Sequence, residues 1–302
     1  MIDKLHEPKR GKEKKVRTYR QRARKEYLRV AKRRRASKKV MRKGIRKQLQ
    51  YLSRNLRYIE ELRGKEGSGK LSRKENRDLV VIKELYEQQK YMYENKVHSV
   101  SGRIVSISQP HVRPIVRGKV GTPVEFGAKI SVSVVDGYVF LDRLSWENYN
   151  ESGDLIYQVE KYKKRYGYYP ESVHADKIYR NRENRRYCEE LGIRLSGPPL
   201  GRPKKKRDKV KEKQVRQDEI DRIAVEGKFG NGKRKYGLGR IMSKRADTSE
   251  SSIGMIILVM NMEKILRDFL FAIFVYAYLE LIWQVKQRIG VYNFSKSAIF
   301  HR

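Results

Sequence analysis

The chain is poor in acid, in cysteine and in long apolar runs. Its 302 residues hold 35 Asp plus Glu against 72 Lys plus Arg, a formal net charge of +37. That excess is more than solubility requires and points to a polyanionic partner. Binding of this kind is strong, salt-sensitive and mostly blind to sequence, because it draws on counterion release. It defines a partner class and no reaction. The single cysteine, Cys188, excludes an intramolecular disulfide and any cysteine-based zinc cluster, which suits a reducing cytoplasm. Residues 1–24 are charged throughout and lack the apolar segment of a secretory signal, so none is expected. The main apolar run, residues 269–279 between Asp268 and Glu280, is shorter than the roughly 20 residues a membrane-spanning helix needs. Being apolar on every face, it is expected to form a buried helix, or one packed on a partner outside the chain, with no membrane contact.

At this length one good core and a second, less globular part are expected. The first hundred residues are rich in Lys and Arg, and within them Ile45, Leu49, Leu52, Leu56, Ile59 and Leu62 recur every three or four positions. That spacing predicts an apolar stripe on a basic helix. A Gly/Ser-rich stretch at 64–69 breaks it, and Leu79, Ile82 and Tyr86 begin a second stripe. The pattern predicts an antiparallel helical hairpin ending near Tyr93 with a strongly positive outer face. Residues 64–70 also satisfy G-x-x-x-x-G-K, the start of a phosphate-cradling loop. Leu71 stands where that loop needs Ser or Thr for magnesium, and a helix precedes it in place of a strand, so a solvated turn is the expected structure.

From residue 100 onward the period changes. Phe126, Ala128, Ile130, Val132 and Val134 alternate with small or polar residues, and Asp136-Gly137 opens a turn into Tyr138-Val-Phe-Leu141, predicting a β-hairpin. Leu155, Ile156, Val159 and Tyr162 then share a helical face, residues 167–170 stop that helix, and Val173-His-Ala-Asp176 reads as a short buried strand. A helix over about 182–191, a strand at 193–195, a basic linker over 201–213 and a helix over about 218–228 complete the order. Strands alternating with helices imply a mixed sheet with helices on its faces, of α/β or α+β class.

Two places carry chemistry. Asp176 falls at the carboxyl end of a predicted strand, where ligands of open sheets bind. Arg222 and Glu226 stand four apart on one helix face. Carboxylates brought together from distant elements can hold divalent cations for phosphoryl displacement. On spacing alone the alternatives stay open: an Asp ending a strand can serve as a turn or cap residue, and Arg222 with Glu226 can be a surface ion pair worth under about 1 kcal/mol. Asp136 belongs to a hairpin tip, and Asp142 and Asp154 have no better claim; His98 and His111 lack ligand-like partners, and His174 is expected to be packed or satisfied. Tyr91 and Tyr93 are expected in a core.

His174-Ala-Asp-Lys-Ile-Tyr-Arg-Asn181, Leu195-Ser-Gly-Pro-Pro-Leu-Gly-Arg202 and Ala224-Val-Glu-Gly-Lys-Phe-Gly230 resemble the catalytic core of bacterial insertion-sequence transposases of the DDE class, of the insertion-sequence-five-like kind. The likeness extends from about Tyr19 to Lys264. That family carries Tyr, Arg, Glu and Lys separated by two, three and six residues; Arg222, Glu226 and Lys233 fit the last three places, and Glu219 stands where the Tyr would be. The resemblance implies an α+β, RNase H-like mixed sheet with flanking helices, to which the basic helical hairpin is added. It implies Asp176 and Glu226 as the second and third catalytic, metal-holding carboxylates, Mg2+ or Mn2+ as cofactor, and DNA, both transposon ends and target, as partner. Arg222, Lys233, Arg234, Lys235 and Arg180 are the expected DNA contacts, and a homodimer or larger synaptic assembly is expected. The resemblance places the first Asp ahead of Met1, so the chain is expected to lack it and to bind without cutting. The expected divisions are a basic hairpin over 1–99, an incomplete core over 100–264 and an apolar helix with tail over 265–302. The competing expectation is a basic nucleic-acid-binding protein without catalysis.

Overall fold

The computed structural model describes residues 1–116, 124–197 and 209–288. The motif at 195–202 lies mostly outside them, and the basic cluster 204–207 and the tail 295–302 lie wholly outside. The chain forms two compact units, one of residues 1–129, 145–149 and 244–246 and the other of 130–144, 150–243 and 247–302.

The first unit begins with a short helix that the charged N-terminus gave little sign of. In α1 (Ile2–His6) the apolar Ile2 and Leu5 are buried against Leu56, Ile59, Leu62 and Leu79. These last four belong to the predicted hairpin, whose arms are α3 (Lys38–Gly64) and α4 (Arg73–Glu94), preceded by α2 (Arg20–Ala31). Ser37 caps α3 by accepting from Val40 N, and Ser72 with Glu75 forms a reciprocal capping box on α4. Glu75 also takes Lys4 Nζ at 2.7 Å; that ammonium and the Ser72 donors draw its carboxyl down to about 2. The turn between α3 and α4 packs onto α1: Gly69 N donates to Leu5 O at 2.9 Å, and a Cβ at Gly69 would sit 2.2 Å from Lys4 O. The Gly69 N–H is thus committed to protein, and the turn expected to be solvated is exposed at 64–67 but packed at Gly69. Beyond α4, β1 (Arg113–Val116) pairs antiparallel with β2 (Val124–Gly127), with Ile115 opposite Glu125.

The single alternating strand expected over 126–134 is interrupted. Gly127, at φ +156, ends β2, and β3 (Lys129–Val135) starts a new pairing with β4 (Tyr138–Ser145). Their connection has Asp136 at φ +50 and Gly137 at φ +80, the positive pair that a type I′ hairpin turn demands. Asp136 is thus a turn residue, as its Asp-Gly context predicts. Helix α5 (Asp154–Tyr166) follows and ends at Gly167 in the left-handed region, whose N–H returns to Lys163 O at 2.7 Å. Leu155 and Val159 of α5 are buried with Cys188 of α6 (Arg182–Glu190) and with Ile193, beneath β5 (Ser172–Val173) and its parallel partner β6 (Arg194–Leu195). Two long helices complete the unit, α7 (Lys209–Lys235) and α8 (Ala246–Arg288).

The architecture is α+β, but among the described residues six strands form three two-stranded sheets and not one mixed sheet. One reason is visible on β4. Asn261 of α8 accepts from Val139 N and donates to Val139 O, both at 2.8 Å, so a side-chain amide occupies the backbone groups that another strand would use. Helix α7 is also longer than the expected 218–228, absorbing part of the segment read as a linker and running through Gly227, Gly230 and Gly232. Of the two fates expected for the apolar run at 269–279, burial within the chain is not seen among the described residues. The first half of α8 buries Ile253, Ile257 and Met260, the latter two with Val139. The second half leaves Phe271 69% and Phe274 79% exposed, because no described segment packs over it. Among the described residues no helix is long and apolar enough to cross a membrane.

Replacing Asn261 by Ala strands the N–H and C=O of the buried Val139, and we expect a loss of about 1–3 kcal/mol of stability in urea unfolding. A change below about 0.5 kcal/mol would contradict the clamp.

A candidate carboxylate centre where a strand end meets a long helix

The parallel pair β5–β6 sets Ser172 beside Arg194 and Val173 beside Leu195, so both strands end together. Past β5, Asp176 begins a 3-10 turn, Lys177–Tyr179, without capping it by its side chain. The segment is fixed from beneath by Asn184, a fully buried side chain whose amide nitrogen donates to Ser152 O and Tyr179 O, both at 2.7 Å. Tyr179 itself is half-buried, and this desolvation together with Glu151 and Asp154 pushes its phenol up to about 12. The Asp176 carboxylate is therefore free of local duties. It reaches Arg222, 46 residues away in sequence, accepting from Nη1 at 2.7 Å.

The same Nη1 donates to Glu226 Oε1 at 2.9 Å. Two carboxylates from distant elements thus share one nitrogen. Glu226, and then Asp176, hold the guanidinium proton more firmly than usual. Both carboxylates remain 64% exposed, so a ligand has access to them. As paired hard oxygen donors on an open surface they suit a divalent cation, whose charge Arg222 supplies between them in this structure.

Helical geometry explains the rest of this face. At about 100° per residue, positions 218, 222, 226 and 233 of α7 fall on one stripe, whereas 234 and 235 turn away. Lys233 accordingly lies exposed on the side of Arg222 and Glu226. Lys235 ion-pairs instead with Glu263 of α8, and Arg234 packs back toward Gly230. The basic triplet is divided by the helix that carries it. Arg180 stands beside Gly197, where an added Cβ would meet Nη1 at 2.6 Å, and burial with the nearby Arg185 lowers its pKa.

Asp218, which sequence reasoning passed over, anchors the stripe. It is buried and accepts from Arg194 Nη1 of β6 at 2.5 Å and from Gln214 Nε2 at 3.0 Å, with His174 Nδ1 at 3.6 Å. Burial works to raise its pKa, but the Arg194 and Gln214 hydrogen bonds and the charges of Arg194 and His174 prevail and lower it. The available signal was its position, one turn ahead of Arg222. His174 Nε2 lies 3.0 Å from Ser172 Oγ, while its Nδ1 is buried without a hydrogen bond, so the histidine expected to be packed or satisfied is satisfied at one nitrogen only. With Asp218 and Asp221 it forms the one trio of possible metal ligands among the described residues, within 4.8 Å of one another. Arg194 and Gln214 already engage Asp218, and Gln217 donates to Asp221 at 3.0 Å, so this trio is a joint between α7 and the strands. Asp142 and Asp154 are also internal, held by Gln158 and by Arg143 respectively. His111 stacks edge-on against Trp146; Tyr91, expected in a core, is 52% exposed.

Residues 173–263 match the transposase DDE domain family. The matched segment runs from β5 into α8 and contains Asp176, Arg222, Glu226 and Lys233. It supports a DDE transposase, a family that acts on DNA and normally uses divalent metal. No curated protein and no solved structure shows significant similarity to the chain.

Because the Asp218 carboxyl is held below its ordinary 3.8, its contribution to stability is complete above about pH 4 and is lost as pH falls through the lowered value. Urea midpoints measured from pH 6 to pH 3 should therefore fall more steeply for the natural chain than for Asp218→Asn, which starts lower at pH 6. Parallel curves would rule out this role.

Proposed function

We propose that the chain is a DNA transposase of the DDE type, with an RNase H-like core whose centre at Asp176 and Glu226 serves phosphodiester cleavage and strand transfer at transposon ends. The observation that carries this reading is the convergence of those two carboxylates on Arg222 within the segment matched by the transposase DDE domain. The chain order of hairpin, helix, strand, helix, strand and helix, with carboxylates at the end of one strand and on the last helix, supports the RNase H-like assignment. In this reading the basic helical part is 1–99, the core 100–264 and the apolar tail 265–302.

Mg2+ or Mn2+ held by Asp176 and Glu226 would supply Lewis-acid polarisation of a phosphoryl oxygen. The protein's own groups do the positioning. Arg222 sits between the carboxylates and keeps two like charges together; with Lys233 it offers the α7 face to backbone phosphates. Arg180 extends that positive rim, whereas Arg234 and Lys235, the other expected DNA contacts, lie on other faces of α7. The nucleophiles are water and then the freed 3′-hydroxyl, with no covalent enzyme intermediate, and a pair of copies would hold two ends in a synaptic complex.

For this chain we further infer binding without completed cleavage. Among the described residues no third ligand joins Asp176 and Glu226 in a compact group, and in-line displacement of this kind calls for a more complete carboxylate set. The competing reading, a basic nucleic-acid-binding protein that never used this centre, predicts the same lack of cleavage and differs in cation affinity.

The test is Mn2+ binding followed by electron paramagnetic resonance, beside a Mg2+-dependent nicking assay on duplex DNA bearing an inverted-repeat end. We expect cation binding that Asp176→Asn and Glu226→Gln each weaken at least tenfold, and no nicking. Cation affinity indifferent to both substitutions would sink the centre and leave the binding protein. Nicking by the natural chain that both variants abolish would keep the transposase and overturn the inactive reading.

A further inference from the structure

Between Glu26 and Glu60 the chain carries thirteen Lys and Arg and no acid at all. These residues occupy the second half of α2, the turn 32–37 and most of α3. So many like charges on one piece of chain repel one another, and a loosely held segment would splay to separate them. The structure does the reverse and fastens the helices together. Gln48 of α3 donates to Ala23 O at 3.0 Å, and Lys47 Nζ and Tyr51 OH reach the two oxygens of Glu26 at 2.8 and 3.2 Å. Gly44 permits a close crossing, since a Cβ there would lie 3.2 Å from Val30 Cγ2.

Glu26 is the decisive detail. It is the sole acid on α2, and its side chain is only 18% exposed, turned inward onto α3. Lys47 first, then Tyr51 and Arg22, hold its carboxyl below the ordinary range. Its negative charge is spent as a staple and does not offset the outer surface. There, Arg24, Lys25, Arg29 and Lys32 line a groove of about 490 Å3 along α2 with Gln21 and Leu28. Arg33, Arg34 and Arg35 stand exposed in the turn that follows, and Lys38, Lys39 and Lys43 on the start of α3. Among the described residues Arg24, Arg29, Arg33, Arg34, Arg35 and Lys43 make no ion pair.

We infer that the α2–α3 arm is a second DNA-binding surface, one that grips the phosphate backbone of duplex DNA without reading its sequence and supplies much of the chain's affinity. A duplex presents a negative charge about every 1.7 Å along its axis, the dense regular anion that an acid-free rigid cationic face matches. The choice of DNA rests on the transposase reading; the arm itself rests on the charge distribution of α2 and α3.

The experiment is a salt titration of full-length chain binding to two duplexes of unrelated sequence, in EDTA so that cation chemistry plays no part. Arg33, Arg34 and Arg35 all changed to Gln should lower the slope of log affinity against log salt by about three, and Arg24→Gln with Arg29→Gln by about two, alike for both duplexes. Both variants alter exposed positions outside the α2–α3 staples, so helical content should be unchanged by circular dichroism. Natural slopes in both variants would overturn the arm, as would preference for single-stranded RNA or anionic vesicles over duplex DNA. Asp176→Asn should bind as the natural chain does. An arm that passes while the cation and nicking tests fail leaves DNA binding standing and removes the transposase centre; the opposite result removes the arm alone.

Discussion

A chain with a net charge of +37 folds only where its few carboxylates neutralise cations that packing would otherwise force together. Much of the structure follows from how those acids are placed. Asp3 gathers Lys15 and Arg20 around α1, Glu75 takes Lys4 as it closes the cap of α4, Glu26 staples α2 to α3, and Glu263 draws Lys235 to α8. The least exposed of them do the most. Asp154 takes Arg143 beside α5, and Asp218 takes Arg194 where α7 meets β6, each acting where solvent screens the attraction weakly. Asp176 and Glu226 break this pattern. They share one arginine nitrogen and stay open to solvent.

Helix α7 ties these observations together. Its stripe of 218, 222, 226 and 233 has a buried anchor, a cation between two carboxylates and an exposed lysine in succession. The anchor fixes the helix against the strand ends, and the following turns inherit their placement from it. The glycines within α7 do not stop it, since flanking turns continue the hydrogen bonding; the cost is a few tenths to about 1 kcal/mol each relative to Ala.

The helical hairpin was legible because its stripe of Leu and Ile repeats at helical spacing, and the β-hairpin because Asp136-Gly137 can take positive φ at both positions. Two elements were read imperfectly for identifiable reasons. Helix α1 is too short for any periodicity to register, and its two apolar residues gain meaning only against Leu56, Ile59, Leu62 and Leu79. The apolar run of α8 is expected either to be buried or to pack on a partner outside the chain, and burial within the chain is not what the described residues provide, because hydrophobicity states a preference and cannot provide the surface that satisfies it. In the candidate site, Asp176, Arg222 and Glu226 could be singled out by strand end, helical spacing and family likeness; Asp218 offered only its place one turn ahead of Arg222, and Arg194 and Asn184 offered nothing, since each works through a partner distant in sequence.

By itself the sequence determined the sign and size of the field, the helical and strand periods, the turn at Asp136-Gly137 and the residues that share a face of α7. These are local properties: charge adds along a chain, and a helix or strand fixes its own angular spacing. Tertiary structure alone decided that Asp176 is no cap and meets Glu226 on Arg222, that the Lys233–Lys235 triplet splits between two faces, that Glu26 points inward, and that Asn261 takes the edge of β4. Each of those outcomes is a competition among partners far apart in sequence, settled by which of them folding brings within a hydrogen bond's length.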